Sequence, residues 1–100
     1  MKFLVTWMVF ETITQEQAKP LRAGFAQGIE HMFDSPKIKD AGGFGDARGM
    51  YMILDDVNSA EEITEILGPE MLDNGYVEVH PIVPLERAAE VFQQWAQQGR

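Results

Sequence analysis

The chain contains no cysteine and few basic residues, and both features exclude classes of function. Without cysteine it can form neither a disulfide nor a thiolate site. Its 8 lysines and arginines are outnumbered by 16 aspartates and glutamates, which gives a net charge of −8. Because proteins bind nucleic acid through a basic surface, we expect no nucleic acid among its partners.

Long apolar runs and clustered metal ligands are also missing. No run approaches the roughly 20 apolar residues of a membrane span, so we expect no membrane partner. The N-terminal segment lacks a small-residue cleavage site and alternates like a strand, so we expect a cytoplasmic protein without a signal peptide. His31 and His80 are the two histidines and have no clustered ligand spacing, so we predict no metal site.

The strands of the chain are predicted from residues that alternate between two faces. One hundred residues suffice for one domain, which we place at 1–100. Alternation with β-branched and aromatic side chains is typical of strands. The predicted strands are Lys2–Phe10, a short bent strand at Ala41–Phe44, Met50–Val57, and a last strand from Gly75 that stops at Pro84.

The helices are predicted from capping signals and from apolar residues at helical spacing. A capping box at Thr14 and Gln17 opens the first helix, and one at Ser59 and Glu62 opens the second. Pro20 predicts that the first helix either starts near Lys19 or is kinked in its first turn. A C-terminal helix follows Pro84, and we expect its polar tail to fray.

The order β-α-β-β-α-β, followed by a terminal helix, predicts an α+β fold of the split, ferredoxin-like kind. We expect both internal helices on one face of a four-stranded antiparallel sheet, with Val79 beneath them, so that Val79→Asp prevents folding. The first strand is apolar on both faces, with Leu4, Met8 and Phe10 on the face away from the helices. A soluble monomer rarely exposes so much apolar area, so we predict a homodimer or a larger even oligomer whose sheets pack together.

The stretches RGMYMILDDVNSAEEI and GYVEVHPIVP, with this order of elements, resemble the dimeric α/β-barrel superfamily. The pattern is most similar to that of the muconolactone isomerase-like proteins and small uncharacterised relatives. It rests on Asp56-Val57 before the helix capped by Ser59, and on Glu78-Val79 in the last strand. The resemblance implies a barrel shared by two chains. It also implies one of several activities, since the superfamily includes isomerases, cofactor-free monooxygenases, polyketide cyclases, haem-degrading enzymes and proteins of no known activity.

The candidate catalytic residues are Glu78 and His80, which should point to one face of the last strand about 7 Å apart by strand rise. A carboxylate beside an imidazole could transfer protons. The alternative is that both make hydrogen bonds between chains at the dimer seam.

The candidate ligand-binding residues on the same face are Tyr51, Tyr76, Thr6, Met8 and Ile53. The alternative for the two tyrosines is a core role with satisfied hydroxyls.

Two functions follow from these candidates. The first is a small enzyme without a cofactor that transfers protons, as an isomerase does, on a small organic acid, lactone or aromatic compound in a barrel pocket. A cofactor-free monooxygenase or cyclase of the same superfamily is a variant of it. The second is a non-catalytic dimer that binds a small molecule or only assembles. An enclosed cavity reached by Glu78 and His80 would favour the enzyme, and a filled interior would favour the second function.

Overall fold

The computed structural model describes residues 1–100 as eight helices and strands. In chain order they are β1 (Lys2–Val9), α1 (Gln15–Met32), β2 (Ile38–Gly43), β3 (Gly49–Leu54), α2 (Ala60–Leu67), α3 (Pro69–Asp73), β4 (Gly75–Ile82) and α4 (Leu85–Gln97). No helix is both long and apolar enough to span a membrane.

The four strands form one open antiparallel sheet in the order β2-β3-β1-β4. Strand β3 runs antiparallel to both β1 and β2, so β1 and β2 are parallel with β3 between them. By the same reasoning β3 and β4 are parallel with β1 between them. The prediction of an α+β fold with a four-stranded antiparallel sheet is confirmed, and the arrangement is compatible with a ferredoxin-like fold.

The strand register confirms which side chains share a face. Val5 pairs with Met52 on one side and with Val79 on the other. Thr6 pairs with Tyr51 and Glu78 in the same way. Because directly opposed residues of antiparallel strands point to the same face, the Val5 row faces the helices and the Thr6 row faces away from them.

The core lies between the helices and the β1-β3 part of the sheet. Ten hydrophobic residues are buried there, namely Val5, Trp7, Met32, Met50, Met52, Leu54, Val57, Ile63, Leu67 and Met71. Methionine supplies four of the ten, and its unbranched side chain fills irregular space between layers that do not pack regularly.

The two helix starts follow the predicted capping signals. The Thr14 hydroxyl accepts from the Gln17 amide at 3.2 Å, and the Gln17 side chain accepts from the Thr14 amide at 3.0 Å. Helix α1 therefore begins at Gln15 rather than near Lys19, and Pro20 lies inside it. Ser59 accepts from the Glu62 amide at 3.4 Å and caps α2, but the Glu62 side chain accepts from the Asn58 amide instead of the Ser59 amide, so the predicted second capping box is only half formed.

Two boundaries differ from the prediction. Strand β2 begins at Ile38 and has an irregular register before Asp40, so it is longer than the predicted segment. Strand β3 ends at Leu54, because Asp56 adopts a φ of 59° that does not continue a strand. Helix α4 ends at Gln97, and the last three residues, 98–100, lie outside it.

Helix α4 gives the chain an elongated shape. The principal extents are 54 × 29 × 23 Å and the radius of gyration is 16.5 Å, whereas about 13 Å is usual for a compact domain of this length. None of its residues is buried. The body of the fold therefore consists of the sheet with α1 to α3, and α4 projects from the end of β4.

Candidate functional site

The sheet face that points away from the helices carries every candidate site residue predicted from the sequence. Glu78 and His80 lie on the edge strand β4, and their side chains are 71% and 56% exposed. Tyr76, on the same strand, is 55% exposed. We call this surface the open face, since no helix of the chain covers it. Solvent reaches the predicted catalytic pair freely, so no enclosed cavity surrounds it within one chain.

Glu78 and His80 contact each other on the open face. The Oε2 atom of Glu78 and the Nε2 atom of His80 are 3.3 Å apart. Strand rise alone would separate the two residues by about 7 Å, so their side chains lean towards each other along the strand. A carboxylate in contact with an imidazole can hold the ring in one tautomer and accept or return a proton through it. The pair has the geometry of an acid–base dyad, although water surrounds it.

A shallow depression of about 510 Å³ brings four of the predicted residues together on this face. Thr6, Met8, Tyr76 and Glu78 line it. Arg48 also lines it, from the loop before β3. The Arg48 carbonyl accepts a hydrogen bond from the Val9 amide at 2.9 Å, which fixes this loop beside β1. Glu11 lines it as well, so the depression combines a guanidinium, two carboxylates and a phenol.

The lining residues do not include Tyr51, Ile53 or the predicted catalytic residue His80, although all three face the same way. The Tyr51 ring lies over Gly42 of β2, where it occupies the space that a side chain would take, and its hydroxyl lies 3.4 Å from the Asp40 carboxylate. It stacks on Phe44 at a centroid distance of 6.5 Å. Tyr51 is therefore directed towards the β2 edge and does not share a space with Tyr76.

A second cavity, of about 330 Å³, lies on the other side of the sheet between α1 and strands β2 and β3. We call it the α1 pocket. Hydrophobic residues make up 12 of its 15 lining positions. The larger of these are Trp7, Phe25, Ile29, Met32, Phe33, Ile38, Phe44, Met50, Met52 and Met71. Its volume is at the lower end of the range for small-molecule sites, which are mostly apolar.

Two features keep the α1 pocket open. The Trp7 indole nitrogen donates to the carbonyl oxygen of Met71, and its ring packs edge-on against Phe25 at 5.2 Å, so the ring forms a fixed wall. Gly43 pairs with Met50 on the helix side of the sheet, and a Cβ placed on it would meet no atom within 4 Å. The glycine-rich stretch around β2 was the sequence signal for this space, and the sequence prediction did not use it.

The chemistry of the α1 pocket differs from that of the open face. Its lining contains no titratable side chain, and the one indole N–H is already bonded. The pocket can therefore bind an apolar molecule but has no side chain that could act as a general acid or base. Nowhere in the chain do three histidine, aspartate or glutamate side chains lie close enough to hold a metal ion.

Comparison with known proteins adds no family assignment. Neither the protein-family models nor the curated proteins contain a match to this chain. The likeness to muconolactone isomerase-like proteins therefore remains a prediction from sequence pattern, and the function has to be inferred from the two sites.

Proposed function

We propose that this protein binds a small, mostly apolar organic molecule in the α1 pocket and works as a dimer. The observation that supports binding most directly is a cavity of about 330 Å³ with a largely hydrophobic lining. Four methionines and four aromatic residues contribute to that lining. Methionine adapts to ligands of different shape, and aromatic rings offer flat surfaces for stacking, so we expect aromatic or cyclic aliphatic ligands.

Filling the pocket tests this binding function. Gly43→Val adds a β-branched side chain on the strand face that points into the pocket, where a Cβ has open space. Indole and naphthalene serve as probes, and their effect on the melting temperature is measured. We expect both to raise the melting temperature of the parent protein with the logarithm of ligand excess and to have no effect on Gly43→Val.

Gly45→Val is the matched control for this variant. A Cβ added to Gly45 would also meet no atom within 4 Å, and Gly45 does not line the pocket. The control should keep the parent response to both probes. Equal responses of the parent and Gly43→Val, or no response of the parent, would contradict binding in the α1 pocket.

The dimer follows from the open face. Half-buried apolar residues cover it, among them Leu4, Met8 and Ile53. Because part of each is already covered in one chain, each contributes less than the roughly 1.5–3 kcal/mol of a fully exposed side chain that becomes buried. Packing two open faces together would shield this area and give the barrel that the sequence pattern implies. It would also enclose the depression at Arg48 and Glu78.

Sedimentation velocity tests the dimer. Met8→Ser with Ile53→Ser should shift the equilibrium towards monomer, since both changes are on the open face. Ala26→Ser with Gln27→Ser, on the exposed side of α1, is the control and should sediment like the parent. A parent protein that remains monomeric at micromolar concentration would contradict the proposal.

The contact between Glu78 and His80 favours a second candidate function, proton transfer on a small unsaturated acid or lactone. The Glu78 carboxylate would remove a proton from the carbon next to the carbonyl, the double bond would shift, and the proton would return to the distal carbon. Arg48 would hold the substrate carboxylate or carbonyl oxygen. This function needs a second copy over the open face, because in one chain the pair is exposed to water.

Deuterium exchange in D₂O tests proton transfer without knowledge of the natural substrate. A β,γ-unsaturated γ-lactone is the probe, and NMR follows loss of its α-proton signal. Glu78→Gln and His80→Ala should each slow exchange by roughly 10²–10⁴-fold. Exchange at the buffer rate in the parent protein, or unchanged rates in both variants, would exclude this second function.

A further inference from the structure

Besides the open face, the structure leaves two apolar surfaces of this chain without a partner. The first is one side of α4, formed by Leu85, Phe92 and Trp95, which are 82%, 64% and 41% exposed. The second, which we call the β4 strip, lies on the helix side of β4 beyond the reach of α1 to α3. It is formed by Val79 at 42% exposure, by Pro81, and by Val83 just after the strand at 61%.

We infer that α4 is an exchanged arm, whose apolar side packs on the β4 strip of a second copy of this chain. The inference concerns how two copies meet and does not depend on the ligand. It goes beyond the proposed contact between open faces, because the β4 strip is on the opposite side of the sheet. The two contacts can be disrupted separately.

The segment between β4 and α4 directs the arm away from its own chain. Only Val83 and Pro84 connect them. Pro84 has φ −55° and ψ 146°, an extended conformation, and a proline also restricts the preceding residue to extended geometry. The helix therefore continues outwards from the sheet, as the 54 Å long axis shows. A short, stiff hinge of this kind favours exchange of an element between copies over closure on the same chain.

The exposed area is large enough for a second copy. The chain exposes 7095 Å², whereas a folded monomer of 11.3 kDa is expected to expose about 5,700 Å². The excess of about 1,400 Å² is larger than the roughly 800 Å² that each partner buries in a standard interface. An exchanged arm together with sheet packing would account for this excess.

The charges on and near the arm exclude the main alternative, a lipid surface. Helix α4 contains Glu86 and Glu90 and one basic residue, Arg87, and the guanidinium of Arg100 just after the helix lies over the Trp95 ring at 5.3 Å, so acidic and basic residues balance along the arm. Helices that lie on membranes have a polar side rich in lysine and arginine. The β4 strip carries no charge, so two copies with a net charge of −8 each can meet there without placing like charges in contact.

The first test uses the full chain and two serine substitutions. Phe92→Ser with Trp95→Ser removes the large side chains of the arm. Gln94→Ser with Gln97→Ser puts the same two residues on the polar side of the helix as a control. Sedimentation equilibrium should show a dissociation constant raised by about 30-fold or more in the first variant, since buried aromatic residues dominate interfaces. The control should match the parent protein.

The second test shows which chain receives the arm. The protein has no cysteine, so Ala89→Cys carries a single benzophenone label next to the apolar side of α4. Labelled chains are mixed with chains grown on ¹⁵N and irradiated. We expect cross-linked peptides that join a labelled α4 to the ¹⁵N segment containing Val79. Cross-links within one chain only, or none to this segment, would overturn the inference.

The two contacts fail in distinguishable ways. If Phe92→Ser with Trp95→Ser weakens the dimer while Met8→Ser with Ile53→Ser does not, the exchanged-arm inference is supported and the proposed contact between open faces is contradicted. If Phe92→Ser with Trp95→Ser sediments like the parent protein, the exchanged-arm inference is contradicted, and the proposed contact between open faces is unaffected.

Discussion

Val5 and Val79 are directly opposed on neighbouring strands and point to the same face of the sheet, yet Val5 is 1% exposed and Val79 is 42% exposed. The helices cover β1 and leave the last half of β4 bare. Val79 points to the helix side of the sheet, as predicted. The prediction that helices cover it is wrong, because none of them reaches this part of β4. This difference changes what a charge at each position should do.

Val5→Asp should prevent folding, whereas Val79→Asp should give a folded chain. A buried unpaired carboxylate costs several kcal/mol, while one that reaches water avoids most of this cost. Circular dichroism and urea unfolding of both variants check the prediction. Under the exchanged-arm inference, Val79→Asp should also raise the dimer dissociation constant. Equal loss of structure in both variants would show that the end of β4 is covered within the chain.

His80→Ala and Glu78→Gln should each change the free energy of unfolding by less than about 0.5 kcal/mol in the monomer, because both side chains are more than half exposed. The comparison is made by urea denaturation below the dimer dissociation constant. A larger loss that appears only above that constant would place the pair in an interface between chains. A loss of more than about 1 kcal/mol in the monomer would contradict the exposure of the two side chains.

Gly28→Ala should stabilise the protein by about 0.5–1 kcal/mol. Gly28 lies inside α1, and an added Cβ would make an ordinary contact 3.7 Å from the Met71 side chain. Gly75→Ala is the counterpart and should destabilise by about 2 kcal/mol or more. Its Cβ would overlap the Trp7 indole and lie 2.6 Å from the Met8 carbonyl oxygen. Melting temperatures that shift in the same direction would contradict this packing.

The Lys37–Glu62 ion pair should make stability depend on pH. Its Nζ and Oε2 atoms are 2.8 Å apart, and this hydrogen bond is the main reason that the pKa of Glu62 lies below its usual 4.5 and that of Lys37 above its usual 10.5. The Glu62 contribution is therefore present above pH 4.5 and is lost as pH falls through its lowered pKa. The Lys37 contribution is present below pH 10.5 and is lost as pH rises through its raised pKa.

Glu62→Gln isolates this effect. The difference in unfolding free energy between the parent protein and the variant should be largest near neutral pH and should vanish in acid below the lowered pKa of Glu62. Urea unfolding at several pH values measures it. A difference that stays constant down to the most acid pH tested would show that Glu62 acts through packing rather than through charge.

Much of the fold could be predicted from the sequence because it depends on local signals. The alternation around Val77 and Val79 specified which side chains of β4 face the helices, and the register confirms it. The Thr14 cap specified where α1 begins, even against Pro20. Such features involve residues close in the chain, whose backbone geometry decides them without reference to the rest of the molecule.

The candidate sites could be predicted only in part. Alternation placed Thr6, Met8, Tyr76 and Glu78 on one face, and they line one depression. It could not show that Tyr51 turns away over Gly42, or that the Arg48 loop lies against β1 and brings Arg48 into the same depression. Those two facts depend on the space left by residues of other elements.

The sequence by itself determined the element types, the two sheet faces, the capped helix starts and the absence of any thiol chemistry. Short-range backbone preferences and side-chain periodicity suffice for these. Only the tertiary structure decided that Val79 is half covered, that a cavity remains between α1 and the glycines of β2, and that α4 projects unpartnered. The physical reason is that burial depends on how far one element extends over another, a distance that no local pattern encodes.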